Sequence, residues 1–274
     1  MDLKMMLVFI LFMVLFFIVF NFQFKILYLP SKKIRILEYH SISTNGFEDQ
    51  ITITKEKIVE QFEYLKNNNY STLWLSDIEE LKNNKMSCPS KTVILTFDDG
   101  FLDNYTELYP LLQQYNFKAV CFMVLGRIGK SADWNGEFVN DNMKLMNKQQ
   151  LEAISSHIEV GYHTFKHDNY ANLTLDEIEN DLQLCQEIIK KESLNIFPAL
   201  AYTYGGYYRK KGIKQKLFFE LLKKYGIKYG LRIGNRINIF PFKNRYEVQR
   251  IDIRGTDSMK DFKKKIIFGR KNMF

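Results

Sequence analysis

Two short segments of this 274-residue chain carry side chains that could do metal chemistry. The segment Leu95–Gly100 ends an apolar run with two adjacent carboxylates, Asp98 and Asp99. The segment His163–His167 begins and ends with histidine, so two imidazoles stand four positions apart. Two nitrogen ligands, one oxygen ligand and one spare carboxylate suit a catalytic zinc-type site, in which three protein ligands leave a coordination position for water.

Both segments follow predicted strands of a parallel sheet. Val93–Phe97 is predicted to be a buried strand that ends at the aspartates, and Glu159–Tyr162 a short strand that ends at the first histidine. In an α/β barrel the carboxyl ends of the strands carry the active site, so all four side chains are expected at one face. Adjacent residues leaving a strand point in different directions, so one aspartate can bind metal while the other faces substrate. Taken alone, the aspartates could instead cap a helix, and the histidines could be surface residues.

Composition allows one large domain and restricts the choice of partners. Hydrophobic residues make up 46% of the chain, and its length suits one α/β barrel or two small domains. The net charge of +8 favours anionic surfaces such as phospholipid headgroups or cell-wall polymers, although a solvated lysine-rich surface explains it equally well. No motif indicates nucleic-acid binding. Cys88, Cys121 and Cys185 have neither metal-knuckle spacing nor the even number of a disulfide framework.

The N-terminus is set apart from the rest of the chain. Met5–Phe20 is unbroken apolar sequence, and patchy apolar character continues to Leu29, which together is long enough to span a bilayer. No small-residue cleavage site follows, so residues 1–30 are predicted to be a single-pass anchor, with a cleaved signal segment as the alternative, and residues 31–274 the catalytic domain. Basic residues after the segment favour a cytoplasmic domain by the positive-inside rule alone. Long domains can translocate despite such charges, and we predict an extracytoplasmic domain.

Beyond that segment, strand-like and helix-like stretches alternate, which predicts parallel β-α units. About eight strands without a glycine-rich phosphate loop favour a barrel over an open doubly wound sheet. Capping boxes are predicted to open helices at Ser76–Glu79 and Thr174–Glu177, and Pro110 is predicted to kink or end the helix Leu102–Tyr115. The stretch Gly126–Asn147 is predicted to be irregular. Other strands are predicted at Ile34–Tyr39, Tyr70–Leu75, Ala119–Leu125, Ile196–Tyr202, Tyr229–Ile233 and Val248–Ile253, and other helices at Thr54–Asn68, Lys214–Tyr225 and Met259–Phe268.

The two motifs together resemble those of a known family. Thr96–Gly100 and His163–His167 match in full the first two motifs of the polysaccharide deacetylases of carbohydrate esterase family four, and the likeness extends from about Ile34 to the C-terminus. Members of this family are metal-dependent enzymes that remove N- or O-acetyl groups from chitin, peptidoglycan, xylan and related polymers on a distorted (β/α)7 barrel. The resemblance therefore implies both a fold and a reaction class.

The resemblance also implies a role for each motif residue. Asp98 matches the general base, and Asp99, His163 and His167 match the ligands of a divalent metal. Zn²⁺ is favoured, with Co²⁺ or Ni²⁺ as alternatives, because N/O ligand sets accept several divalent ions. The metal would polarise the acetyl carbonyl and lower the pKa of a water, whose proton Asp98 would accept.

The family's third motif departs from its usual form in this chain. Arginine-x-proline-tyrosine is usual, but Ala201 stands at the arginine position and Thr203 at the proline position. Tyr204 matches the tyrosine whose backbone N–H donates to the oxyanion, a contribution of roughly 3–4 kcal/mol in comparable sites. Another group must orient Asp98, and Arg250 in the last predicted strand is the candidate.

The family's general acid is a histidine near the C-terminus, but no histidine follows His167 here. His40 ends the first predicted strand, at the same face as the two motifs. This arrangement resembles the branch that acts on poly-β-1,6-N-acetyl-D-glucosamine of biofilms, whose barrel is circularly permuted so that the acid lies on the first strand. The resemblance implies that His40 protonates the leaving amine, with a structural hydrogen bond as the alternative. His157, before its strand, receives no role.

We therefore predict an anchored, extracytoplasmic N-deacetylase of this polysaccharide, with an exopolysaccharide synthesis and export complex as a possible partner and no nucleic acid. The predicted fold class is α/β, a distorted and circularly permuted (β/α)7-type barrel after an N-terminal membrane helix. Alternatives keep the chemistry but change the substrate to peptidoglycan, a chitooligosaccharide or an O-acetylated glycan. A further alternative is a glycan-binding module whose catalytic site has decayed.

Overall fold

The predicted alternation of strands and helices runs along the whole domain. The computed structural model describes residues 2–24, 32–134 and 143–270. The strands are β1 (Lys33–Tyr39), β2 (Ser41–Ser43), β3 (Thr52–Thr54), β4 (Ser71–Thr72), β5 (Thr92–Asp99), β6 (Ala119–Met123), β7 (Ile158–Tyr162), β8 (Ala199–Ala201), β9 (Tyr229–Ile233), β10 (Asn238–Ile239) and β11 (Val248–Asp252). The helices are α1 (Leu3–Phe24), α2 (Lys55–Asn67), α3 (Leu75–Asn83), α4 (Tyr109–Tyr115), α5 (Lys148–Ala153), α6 (Leu175–Glu192), α7 (Ile213–Lys224) and α8 (Met259–Phe268).

Parallel pairing closes seven of these strands into a barrel. Their order around it is β1, β5, β6, β7, β8, β9 and β11, and β1 pairs with both β5 and β11, which completes the circle. The longest register runs from Ile34 opposite Thr92 to Tyr39 opposite Phe97. This confirms the predicted (β/α)7-type barrel. Because the strands are parallel, they all end at one end of the barrel, which we call the C-terminal pole; the other is the N-terminal pole.

Apolar side chains fill the barrel, and α3 belongs to the same buried cluster. Leu75 and Ile78 of α3 are fully buried in it, and the Tyr229 hydroxyl at the start of β9 donates to the Glu79 carboxylate at 2.5 Å. Helix α3 therefore lies across the N-terminal pole and closes it. The members that the strands contribute include Ile34, Ile36, Ile94, Val120, Phe122, Ala199, Leu231 and Val248.

The beginning of α3 differs from the prediction. The capping box predicted at Ser76–Glu79 is wrong, because the helix begins at Leu75 and its first amides have a distant acceptor. The N–H groups of Leu75 and Ser76 donate to the carboxylate of Glu159 on β7, at 3.1 and 3.3 Å. The strand predicted over Tyr70–Leu75 shrinks to the two residues of β4 because the chain turns into α3 there. These two N–H groups thus have a long-range acceptor, while the local carboxylate of Asp77 accepts from the Trp74 N–H at 2.8 Å.

The position of Glu159 gives a testable pH dependence of stability. Burial, partly offset by the hydrogen bonds from Ser76 and Leu75, raises the pKa of Glu159 to about 7 from 4.5. A pKa raised in the folded state means that this contribution to stability is complete below about pH 4.5 and is lost as the pH rises through about 7. We expect Glu159→Gln to remove a pH-dependent part of up to about 3 kcal/mol from the free energy of unfolding.

Urea denaturation between pH 4.5 and pH 8, with the metal content held constant, measures this effect. The matched control is Glu152→Gln, which changes an exposed glutamate of α5. An unchanged pH slope in Glu159→Gln would contradict the assignment.

Two other helix predictions have clear outcomes. The capping box at the start of α6 is confirmed: the Thr174 N–H donates to Glu177 at 2.7 Å and the Glu177 N–H donates to the Thr174 hydroxyl at 3.3 Å. The helix predicted over Leu102–Tyr115 is split into a π-helical turn at Asn104–Leu108 and then α4. Pro110 is the second residue of α4 and directly follows the π-helical turn, so the helical backbone continues through it with an irregular turn where its N–H is missing. Within the stretch predicted to be irregular, residues 135–142 lie outside the described part of the chain.

The N-terminal helix is apolar on all sides. Leu3–Phe22 is long and apolar enough to cross a membrane, and none of it is buried against the described part of the domain. A helix of this composition needs an apolar environment around its whole circumference. By length and composition it fits a membrane anchor or a signal sequence.

Candidate active site

The aspartate pair lies at the C-terminal pole, at the end of β5. Every residue of β5 is buried, and Asp98 and Asp99 are 2% and 4% exposed. The backbone turns sharply after them: Asp99 and Gly100 have φ angles of 73° and 83°. A Cβ added at Gly100 would lie 2.1 Å from the sulfur of Met123, so that side chain would have to move, and the positive φ independently favours glycine. The two carboxylates have different neighbours on either side of this turn.

Asp99 faces two imidazoles that arrive from the end of β7. Its Oδ1 lies 3.4 Å from Nε2 of His163 and 3.1 Å from Nε2 of His167. The other ring nitrogens are held from behind: His163 Nδ1 lies 2.9 Å from the carbonyl oxygen of Ala201, and His167 Nδ1 lies 3.1 Å from the hydroxyl of Tyr204. If each Nδ1 carries the hydrogen and donates it, both Nε2 lone pairs converge on Asp99, as metal-ligating histidines require.

These three residues fit a divalent metal ion. The ligand atoms of Asp99, His163 and His167 lie within 4.8 Å of one another, and all three residues are buried. Among the described residues, the buried Asp99 Oδ1 has no hydrogen-bond partner, which is costly for a carboxylate oxygen unless a cation satisfies it. Burial favours a higher pKa for Asp99, but the neighbouring imidazoles outweigh it and hold the pKa well below its usual range. One neighbouring oxygen and two nitrogens form the donor set of a catalytic metal site with open positions.

Asp98 has an organic cation as its partner. The Arg250 guanidinium donates to both of its oxygens, at 2.6 and 2.7 Å, and the Nε of Arg250 lies 3.1 Å from the carboxylate of Glu38. The Nε contact is an ion pair rather than an aligned hydrogen bond. All three groups are almost fully buried. Although burial opposes ionisation, Arg250 lowers the pKa of Asp98, and the two carboxylates raise the pKa of Arg250 above its usual value.

A second group of potential ligands lies beside the first. The side-chain ligand atoms of Glu38, His40 and Asp98 also lie within 4.8 Å of one another. The positive guanidinium of Arg250 already compensates both carboxylates, so a second cation there would be repelled. Of the two groups, the one around Asp99 therefore fits a metal ion better, and Arg250, itself compensated by Glu38, holds the Asp98 carboxylate.

His40 lies at the edge of this arrangement, at the end of β1. It is half-buried, and its Nδ1 is buried without a hydrogen-bond partner among the described residues. Its main-chain carbonyl accepts a hydrogen bond from the Asn104 side chain at 3.1 Å, which fixes the backbone at this point. The imidazole is thus placed beside Asp98 with a free nitrogen.

Two aromatic side chains flank the histidines. The ring of Trp134 stacks on that of His167, with centroids 4.4 Å apart and planes 19° apart. Tyr204 is 60% exposed and meets the other side of His167 edge-on at 4.8 Å. The site therefore has an apolar, partly open border of the kind on which sugar rings pack.

Comparison with known proteins places this geometry in a family. Residues 85–230, which include both motifs, match the family of polysaccharide deacetylases. The chain belongs to the polysaccharide deacetylase family. All seven residues predicted from the sequence for its active site lie together at the C-terminal pole: His40, Asp98, Asp99, His163, His167, Tyr204 and Arg250.

Relatives of this chain align with much of its length. The protein YxkH of Bacillus subtilis strain 168 is 27% identical over 175 residues, which are 64% of this chain and 58% of YxkH, so the chain spans less than two thirds of that relative. A protein of Staphylococcus aureus strain MRSA252, named poly-beta-1,6-N-acetyl-D-glucosamine N-deacetylase, is 26% identical over 234 residues, 84% of this chain and 73% of the relative.

Solved structures share the fold of this chain. IcaB from Ammonifex degensii has a TM-score of 0.68 at 18% identity, covering 87% of this chain and 97% of IcaB. The Streptococcus pyogenes deacetylase PplD, solved with acetate, has a TM-score of 0.67 at 20% identity, covering 85% of this chain and 98% of PplD. At these identities the likeness concerns the barrel and its connections.

Sequence reasoning missed two residues that support the candidate site. Glu38 compensates Arg250, and its signal was a carboxylate inside the apolar strand β1. Asp181 lies on the inner face of α6, where its carboxylate accepts hydrogen bonds from the Phe165 N–H at 2.9 Å and the Tyr170 hydroxyl at 2.5 Å. It thereby holds the loop that carries both histidines. Its signal was a charged residue among the apolar positions of an otherwise amphipathic helix.

The backbone is strained at several residues of the candidate site. Asp99, Thr164, His167 and Tyr204 all have φ angles between 55° and 73°, in the left-handed region. Such conformations cost of order 1–3 kcal/mol each and cluster at sites where function requires them. The surrounding hydrogen bonds and burial hold the side chains in place despite this cost.

Proposed function

We propose that this protein is a membrane-anchored, metal-dependent N-deacetylase of poly-β-1,6-N-acetyl-D-glucosamine. The observation that carries the proposal is the pairing of a three-residue ligand group with an adjacent carboxylate, Asp98, locked by Arg250. The name of the Staphylococcus aureus relative, aligned over 84% of this chain, supports the substrate. Membership of the family supports the reaction class.

The chain's own residues divide the work between them. Asp99, His163 and His167 would hold the ion, for which Zn²⁺ is favoured; when bound, it supplies Lewis-acid polarisation and lowers the pKa of a water. Asp98 is the general base, because its Oδ2 lies 3.8 Å from Nε2 of His163 and therefore faces the ligand group. Arg250 is a positioning residue that fixes the direction of the Asp98 carboxylate.

The remaining steps need a general acid and a hydrogen-bond donor to the oxyanion. His40 is proposed to donate a proton to the leaving amine, since its ring lies beside Asp98 and its Nδ1 has no partner among the described residues. The backbone N–H of Tyr204 is proposed to donate to the developing oxyanion. The Tyr204 hydroxyl has a separate task, because its contact with Nδ1 of His167 orients that ring.

The location of the enzyme is also a proposal. Residues 1–30 are proposed to anchor the protein and residues 31–274 to form the catalytic domain outside the cytoplasmic membrane, where a surface polysaccharide is made accessible. The apolar, unburied helix at Leu3–Phe22 supports the anchor. An exopolysaccharide synthesis and export complex is the proposed setting, because a polymer leaving the cell would pass the enzyme there.

Acetate release from a panel of oligosaccharides tests the substrate. We expect the full-length, zinc-loaded protein to deacetylate β-1,6-linked N-acetylglucosamine oligomers faster than chitooligosaccharides, peptidoglycan fragments or O-acetylated xylan. Reloading chelated protein with Zn²⁺, Co²⁺ or Ni²⁺ identifies the metal. Faster acetate release from another polymer would assign that polymer as the substrate. Binding of the oligomer by metal-loaded protein without acetate release would indicate a glycan-binding module.

A further inference from the structure

A basic cavity lies at the N-terminal pole, opposite the active site. It has a volume of 280 Å³ and lies between the beginning of β9, the end of α3 and the chain that follows β10. Its basic lining residues are Lys82, Lys243 and Arg245, and its aromatic ones are Tyr229, Phe240 and Phe242. The three basic residues are exposed, whereas Phe240 is 7% exposed. We call this the N-pole cavity, because it lies at the N-terminal pole of the barrel.

The charge around the N-pole cavity is strongly positive. Among the described residues, Glu79 is the acidic residue that contacts this lining: it pairs with Lys82 at 3.2 Å and accepts a hydrogen bond from the Tyr229 hydroxyl. That leaves the charges of Lys243 and Arg245 uncompensated by Glu79. Arginine and lysine beside aromatic rings form a typical surface for phosphate groups and their organic substituents.

The N-pole cavity is next to the first described residues of the domain, which follow the N-terminal helix in the chain. β10 pairs with β1 at its first residues, Lys33 opposite Ile239, and the Phe240 N–H donates to the carbonyl of Lys32 at 2.8 Å. Eight peptide steps separate Phe24 of α1 from Lys32, and a fully extended chain of that length spans roughly 30 Å. If α1 lies in a membrane, the cavity is tethered close to the headgroups.

We propose that the N-pole cavity binds the phosphate headgroup of an anionic phospholipid in the membrane that holds α1. This inference rests on the proposed anchor. The headgroup phosphate contacts Lys82, Lys243 and Arg245, while Phe242, the most accessible of the three aromatic residues, contacts the glycerol and upper acyl region. Binding at this pole turns the closed end of the barrel toward the membrane and the active site toward the polymer.

The chain contains a second basic surface that could compete for this role. The segment Arg209–Leu217 carries five basic residues and no acidic residue, with exposed Ile213 and Leu217 beside them. It precedes and begins α7, and therefore belongs to the C-terminal pole with Tyr204. The two surfaces predict opposite orientations, which makes the second a matched control for the first.

Hydrogen exchange of the full-length protein in lipid nanodiscs tests the proposal. We compare discs of phosphatidylcholine alone with discs that also contain phosphatidylglycerol, and expect amide exchange at residues 238–246 to slow about fivefold in the anionic discs. The variant Lys82→Glu/Lys243→Glu/Arg245→Glu is expected to lose this slowing. The control variant Lys210→Glu/Lys211→Glu/Lys214→Glu makes the same charge change at the other pole and is expected to keep it.

Each outcome separates the possibilities. If the protein does not enter neutral discs, the proposed anchor fails. If it enters but exchange at residues 238–246 is the same in both lipids, or slowing occurs at residues 209–217 instead, the headgroup proposal is overturned. Equal slowing by inorganic phosphate in neutral discs would assign the cavity to a soluble phosphate. The milder Lys243→Gln/Arg245→Gln, with acetate release as a check on folding, replaces the triple variant if that unfolds.

Discussion

Replacement of Asp98 by asparagine is expected to lower the rate of acetate release by about 10²–10⁴-fold, the usual contribution of a general base. Asparagine has nearly the same shape as aspartate but cannot accept the proton at the working pH. The metal should remain, because Asp98 lies outside the ligand group of Asp99, His163 and His167. Steady-state assays with zinc-loaded protein and metal analysis of the purified variant measure the two effects.

The contrast with His163→Ala makes this test specific. That variant removes one of three ligands, and we expect it to lose both the metal and the activity. Asp98→Asn should therefore be inactive with metal, and His163→Ala inactive because the metal is absent. A near-wild-type rate for Asp98→Asn would refute its role as the base, whereas loss of metal from that variant would assign Asp98 to the ligands.

Removal of the Arg250 cation is expected to have the largest effect on stability. Its guanidinium is 1% exposed and compensates Asp98 and Glu38, so Arg250→Met would leave two buried carboxylates facing each other. Breaking a buried ion pair in this way costs about 3–5 kcal/mol. Urea denaturation of metal-free protein measures the loss. Glu38→Gln added to Arg250→Met should restore part of it, because one of the two charges is then absent.

The matched control for Arg250 is Arg254→Met. Arg254 pairs with Asp252 at 2.7 Å, but its side chain is 48% exposed, so its loss should cost under about 1 kcal/mol. Arg250→Lys tests the positioning role: it keeps a charge and loses the two parallel hydrogen bonds to Asp98. We expect kcat to fall while KM and metal content stay unchanged. Equal stability of Arg250→Met and Arg254→Met would contradict this account.

The parts of the site that were predictable from sequence follow from local pattern. Asp98, Asp99 and the two histidines directly follow apolar strands, and parallel strands end together, so their meeting at one pole needs no knowledge of the loops. His40 reaches the same pole for the same reason. Arg250 could be offered only as a candidate, because its contact with Asp98 joins residues 152 positions apart.

Other features depend on contacts that local pattern does not contain. Glu38 lies in an apolar strand, and only the arrival of Arg250 from β11 explains a buried carboxylate there. The beginning of α3 was misplaced because its acceptor, Glu159, lies 84 positions away on β7. In both cases a charged group is satisfied by a partner from another strand of the barrel, and such a partner leaves no periodic signal.

The closure of the N-terminal pole restricts how a long molecule can be processed. The described residues fill the barrel and α3 lies across its far end, so a sugar chain can neither thread through the protein nor leave by a separate exit. It must lie across the rim at the open pole and touch the catalytic groups from the side. Under the proposed function, internal units of a polymer are then as accessible to the site as its terminal units.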